Sequence, residues 1–298
     1  MTKKETGEFL YRFYRKRIAS FLASLYKASI TCDDKDIHKA RVDVKKIFAL
    51  FHLFELVLSD TFKQENHYPL LKQIFAHSGR IREIQINLGW VDHYGPSFPG
   101  MHEFREYLVD EEIKMTGIFI SEIKNFNEKE LKQSDREIKK IVSGIGRKKF
   151  IANVLQFIDN KTKKIKKLLA AEYNPETVHK IRSHLKSMSS IASMSLTLKQ
   201  DAALKERVVF FNQAEVLIGE WHDKVVLLNT IRKFRTVTMN KKKTKGNKPP
   251  LLGEFGKLIQ EECTLLLEQI KPAINAAIEI PGESVGEPKI PDAIIPAQ

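Results

Sequence analysis

His38-Lys39-Ala40-Arg41-Val42-Asp43-Val44-Lys45 returns later in the chain as His179-Lys180-Ile181-Arg182-Ser183-His184-Leu185-Lys186, with histidine, arginine and the last lysine at the same spacing. A second pair follows in the same order. Gly79-Arg80-Ile81-Arg82-Glu83 begins 41 residues after His38, and Gly219-Glu220-Trp221-His222-Asp223 begins 40 residues after His179. Two elements recurring in order, offset by 141 and 140 residues, mark a duplicated chain.

The octapeptide also declares its own geometry. At about 100° per residue, His38, Arg41, Lys45 and His52 fall within roughly 60° of one another on a helix, while Ile47, Phe51 and Phe54 gather on the opposite side. One face is cationic and the other is core. His179, Arg182 and Lys186 are placed the same way in the second copy. Cations three and four positions apart repeat about every 5 Å along a helix axis, a ladder suited to a chain of regularly spaced anions. A solvated face would mix Glu among the Lys to form i,i+4 pairs, and here acids stand only at the flanks.

Outside the repeats, almost every long segment carries apolar residues at three- and four-residue spacing, and alternation is scarce. The predicted fold class is all-α, with helices over 5–28, 34–58, 68–92, 100–126, 128–142, 148–172, 175–198, 202–236 and 251–278. Breakers fall between them. Asp33-Asp34 offers one N-cap, Asn174 offers another with Pro175 at the first helical position, and Gly95 to Gly100 forms a turn. Residues 240–250 read as a basic linker without apolar residues, and four prolines and two glycines make 279–298 a flexible tail.

The 298 residues include 50 Lys and Arg against 37 Asp and Glu, a formal charge of +13. The excess is local: residues 1–140 carry +3, 141–250 carry +15 and 251–298 carry −5. Such a block argues for a polyanionic partner without choosing among nucleic acid, phosphate polymer and membrane surface. No stretch approaches the roughly 18 apolar residues of a membrane span, and the N-terminus lacks the apolar core of a secretory signal, so a cytoplasmic protein is expected. Cys32 and Cys263 are isolated, which leaves no disulfide framework or zinc site to build, and both read as buried apolar residues.

His38-x-x-Arg41-x-x-x-Lys45-Lys46, the Gly79 to Glu83 segment and their second copies resemble the conserved histidine α-helical domain, CHAD, over about residues 5–275. The resemblance implies a domain over 1–278 made of two pseudo-symmetric four-helix bundles, about 1–145 and 146–278, with a basic groove or pore that binds inorganic polyphosphate. It implies no catalysis, and an association with polyphosphate granules. Its basic residues carry over onto His38, Arg41, Lys45, Lys46, His179, Arg182 and Lys186. The second stripe departs from the pattern, since Ser187 answers Lys46 and Ser190 answers Ala49, and serine hydroxyls can still donate to phosphate.

Arg80, Arg82 and His222 read as a second row of phosphate-binding residues, with Glu83 and Asp223 as carboxylates that orient a neighbouring Arg or His. Arg12 and Lys16 share a face of the first helix and join the groove candidates. Within the lysine cluster 161–167, Lys163, Lys164 and Lys167 share a face, Lys161 and Lys166 point elsewhere, and Lys164 is the candidate. There is no GxxxxGK[ST], GxGxxG, HExxH or GxSxG, so an enzyme is disfavoured and no cofactor or metal is expected. Two alternatives remain open: a helical protein binding nucleic acid non-specifically, and an accessory subunit of a polyphosphate- or triphosphate-processing enzyme.

Overall fold

In a computed structural model, residues 3–31, 33–58, 61–67, 69–98, 100–198, 201–242 and 252–279 are described. Among them the chain forms α1 (Lys3–Thr31), α2 (Asp34–Val57), α3 (Pro69–Tyr94), α4 (Met101–Lys124), α5 (Glu128–Val142), α6 (Arg147–Ala170), α7 (Pro175–Leu196), α8 (Ala202–Lys242) and α9 (Gly253–Ile278). Short 3-10 turns occupy Gln64–Asn66 and Gly95–Ser97, and no strand occurs among the described residues. The two predicted caps form as expected: Asp33 accepts from Lys35 N–H at 2.7 Å, and Asn174 accepts from Thr177 N–H at 2.9 Å with Pro175 behind it. Asn127 adds a third, accepting from Lys129 N–H at 3.1 Å. Gly100 precedes α4 at φ 81°, a left-handed conformation that glycine adopts without a Cβ penalty.

The anticipated end of α8 is corrected. Helix continues through Asn240, Lys241 and Lys242 into the expected linker, because lysine is a good helix former and no breaker stands before Gly246. The rest of the linker, the tail from 280 onward and Cys32 lie outside the described residues. Cys263 is a buried free thiol, as anticipated.

α1 to α4 pack in sequence and close through α1 against α4; α6 to α9 do the same and close through α6 against α9. Each group buries its own apolar stripes. Leu10, Tyr14 and Phe21 of α1 meet Ile47, Phe51 and Phe54 of α2, and Phe150, Val154 and Ile158 of α6 join Ile181, Leu185 and Met188 of α7. α5 rests on α1 and has no counterpart among the described residues of the second half.

The two bundles meet where the duplicated helices meet, α2 on α7 and α3 on α8, so each of these contacts pairs equivalent elements as an isologous interface does. Polar ties reinforce it. Asn87 Nδ2 of α3 donates to Thr230 Oγ1 of α8 at 3.1 Å, and Tyr94 OH donates to Glu262 Oε1 of α9 at 2.7 Å. Lys224 of α8 is 4% exposed, donates to Glu262 Oε2 at 2.6 Å and lies 4.0 Å from the Trp90 ring centroid. A buried ammonium is tolerable here because a carboxylate and an aromatic face replace its water. Among the described residues no helix is long and apolar enough to cross a membrane.

Candidate anion-binding site

The α2 stripe faces the second bundle. Lys45 lies near Arg182 of α7 and near Glu215 and Asp223 of α8, and Lys186 of α7 lies near Lys45 in turn. Asp223 feels both Arg82 of α3 and Lys45, and Glu83 of α3 feels Asp223. The two cationic faces, separate in sequence, therefore share one cleft between the bundles.

The cleft depresses the proton affinity of its bases. Desolvation, then the Arg182 and Lys45 charges, bring Lys186 down to about 8, against the partial relief of Glu215 and Asp223. Lys45 is lowered by desolvation and by Arg41 and Arg182. His222 falls to about 4 through burial, then Arg182, His179 and Lys186, so at neutral pH its ring is uncharged. Its Nδ1 is buried without a hydrogen-bond partner, as is Arg182 Nε. The His222 ring stands edge-to-face with His179 at 5.2 Å, and His179 lies against Trp221 at 4.9 Å. His38 is lowered by desolvation and by Arg82, Lys45 and Arg41. Among the described residues no carboxylate oxygen lies within 4.0 Å of the nitrogens of Lys45, Arg182 or Lys186. Cations held together, partly dehydrated and without direct counter-ions are prepared for an anion with several oxygens.

The equivalent arginines are held differently. Arg41 Nη1 donates to Phe75 O at 2.6 Å and to Ser78 Oγ at 3.2 Å, with its guanidinium 4.4 Å from the Phe75 ring centroid. Gly79 makes the room: a Cβ there would lie 2.9 Å from Arg41 Nη1. Arg41 thus pins α2 to α3 and takes its orientation from Phe75 and Ser78. The Glu83 carboxylate acts on Arg80 and Arg41 through space. Nothing stands within 4 Å of a Cβ at Gly219, and Arg182 faces the carboxylates Asp223 and Glu215 instead of a packed carbonyl.

Other expected site residues fall at or beyond the edges. Arg80 is exposed on α3 near Glu83. Lys46 is exposed, about 100° around α2 from Lys45. Arg12 and Lys16 are exposed roughly 140–180° around α1 from the buried Leu10, Tyr14 and Phe21, and so point away from the bundle. In the lysine cluster, Lys163 pairs with Asp159 at 2.9 Å, and the half-buried member is Lys161, contrary to expectation. Lys161 Nζ reaches His184 Nδ1 at 3.5 Å and lies over Phe157, against which His52 of α2 packs edge-to-face at 5.1 Å. Lys164 adjoins this group. The matching place in the first bundle is neutralised, with Asp43 accepting from Arg17 at 3.1 Å and Ser20 at 2.6 Å.

Glu215 was not foreseen. It lies one turn before Gly219 on the α8 face that carries His222, and that i, i+4, i+7 spacing is the signal that finds it. Among the described residues no three His, Cys, Asp or Glu side chains group as metal ligands.

No family model matches the chain, and no curated protein matches it. In structure it is similar to the crystal structure of the CHAD domain from the plant Ricinus communis, with a TM-score of 0.66 and 12% identity over 91% of this chain and 92% of that one.

Proposed function

For a chain that folds as a CHAD-like pair of helical bundles, we propose the non-enzymatic binding of inorganic polyphosphate in the cleft between them. The observation that carries this reading is the approach of Lys45 from one bundle to Arg182 and Lys186 from the other, with no direct ion pair on any of the three among the described residues. Phosphate oxygens would restore the hydrogen bonds and charge balance that the cleft withholds, and His179 and Ser190 would add neutral donors. A polymer suits it because the stripes run along two helix faces, so successive phosphates meet successive cations and release counterions cumulatively. The same chemistry supports a place among soluble polyanions, with the cytoplasm as the proposed location.

The test is a titration with long-chain polyphosphate at several salt concentrations. Affinity falling by on the order of 10³ between about 50 and 200 mM salt fits a ligand touching several cations. Displacement by duplex DNA or RNA at equal phosphate concentration would favour a general polyanion binder. Phosphate release from polyphosphate with divalent metal present would overturn the non-enzymatic part.

A further inference from the structure

We propose that Glu215 is a built-in competitor for the cleft's cations, a specificity-determining residue that disfavours small anions relative to polymers; this rests on the polyphosphate reading above. The half-buried Glu215 carboxylate faces Lys186, Arg182 and Lys45, the three cations through which the bundles meet. Its Oε1 is buried without a hydrogen-bond partner, and the hydroxyl of the adjacent Ser189 is committed elsewhere, donating to Asn212 Oδ1 at 2.7 Å.

The duplication supplies the control. The residues equivalent to Ser189 and Glu215, 141 and 140 positions earlier, are Phe48 and Phe75, whose rings pack edge-to-face at 5.6 Å. The first bundle fills this place with an uncharged aromatic pair on which Arg41 rests. The fold therefore does not demand a carboxylate there, and placing one among cations needs another reason.

Glu215 stabilises the empty cleft by giving three clustered cations a nearby negative charge, and it repels any anion entering between them. A small phosphate has all its contacts in that central region and meets the full repulsion. A polymer keeps contacts along the rest of both stripes and can shift its closest phosphate away from Glu215. Glu215 thus lowers affinity for short anions more than for long ones, a discrimination built from a repulsive element.

The experiment compares tripolyphosphate and long-chain polyphosphate binding to wild type, Glu215→Gln, Glu215→Asp and the control Glu206→Gln. Glu206 is exposed on the same helix, and its variant changes net charge equally. The expected result is tripolyphosphate binding tightened on the order of tenfold in Glu215→Gln, a smaller gain for the polymer, and little change in Glu206→Gln. Glu215→Asp, which keeps the charge but draws it back from the cations by about one methylene, should shift the ratio of the two affinities in the same direction by less. That variant keeps the test open if Glu215→Gln does not fold. Equal effects in Glu215→Gln and Glu206→Gln, or weaker tripolyphosphate binding in Glu215→Gln, would overturn the proposal. A wild type that binds no polyphosphate would overturn the reading beneath it, and the tripolyphosphate comparison would still report on Glu215.

Discussion

Lys45 and Lys186, equivalent residues of the two repeats, approach each other across the contact of α2 with α7, and the charge of Lys45 helps hold Lys186 near pKa 8. A protein that packs two lysines together without a direct counter-ion sacrifices stability in its empty state. The first prediction concerns that sacrifice. Lys186 binds its proton less tightly folded than unfolded, so the unfolded chain holds more protons between about pH 8 and 10.5. Its contribution to stability therefore rises with pH through that window. Lys186→Met should stabilise the ligand-free protein at pH 7 by about 1 kcal/mol, read as a Tm increase of a few degrees, with the gain shrinking above about pH 8.

Binding should carry the opposite proton flow. An anion in the cleft favours the charged ammonium and raises the proton affinity of Lys186, so the complex takes up protons near and above pH 8, and affinity declines as pH rises through that range. Calorimetric titrations in buffers of different ionisation enthalpy measure this uptake directly, and it should be reduced in Lys186→Met.

Glycine substitutions should separate the two repeats. Gly219→Ala meets nothing within 4 Å and should gain about 0.5–1 kcal/mol of helix propensity. Gly79→Ala gains the same propensity but drives its Cβ to 2.9 Å from Arg41 Nη1, loosening the guanidinium from Phe75 O, so its net stabilisation should vanish or reverse. Chemical denaturation of the pair checks the difference.

Glu262 supports the interface of the bundles from outside the cleft. Glu262→Gln leaves Lys224 buried over Trp90 without its carboxylate and weakens the tie to Tyr94, and should cost about 3 kcal/mol. Lys224→Met, which removes the buried charge as well, should cost less.

Much of this was legible in the sequence, and what was not has physical causes. Periodicity sorted Ile47, Phe51 and Phe54 from His38, Arg41 and Lys45, because each helix announces its own apolar stripe. It could not say what lies opposite a stripe. Arg41 and Arg182 share a motif, yet one is consumed in packing on Phe75, Ser78 and Gly79 while the other faces Glu215 and Asp223, since the partner helices diverged where the motif did not. Lys161 was misplaced for the same reason: its burial is set by Phe157 together with His184 of α7. Arg12 and Lys16 share a face as expected, but on α1 that face lies opposite Leu10 and Tyr14.

The central claim is that one polyanion bridges both repeats through the facing lysines. The most direct measurement is the affinity of long-chain polyphosphate for wild type, Lys45→Glu, Lys186→Glu and the double variant, with helical content confirmed by circular dichroism. Each single variant should weaken binding on the order of tenfold or more, with the double variant losing the steep salt dependence. Unchanged affinity in a folded double variant would contradict the account.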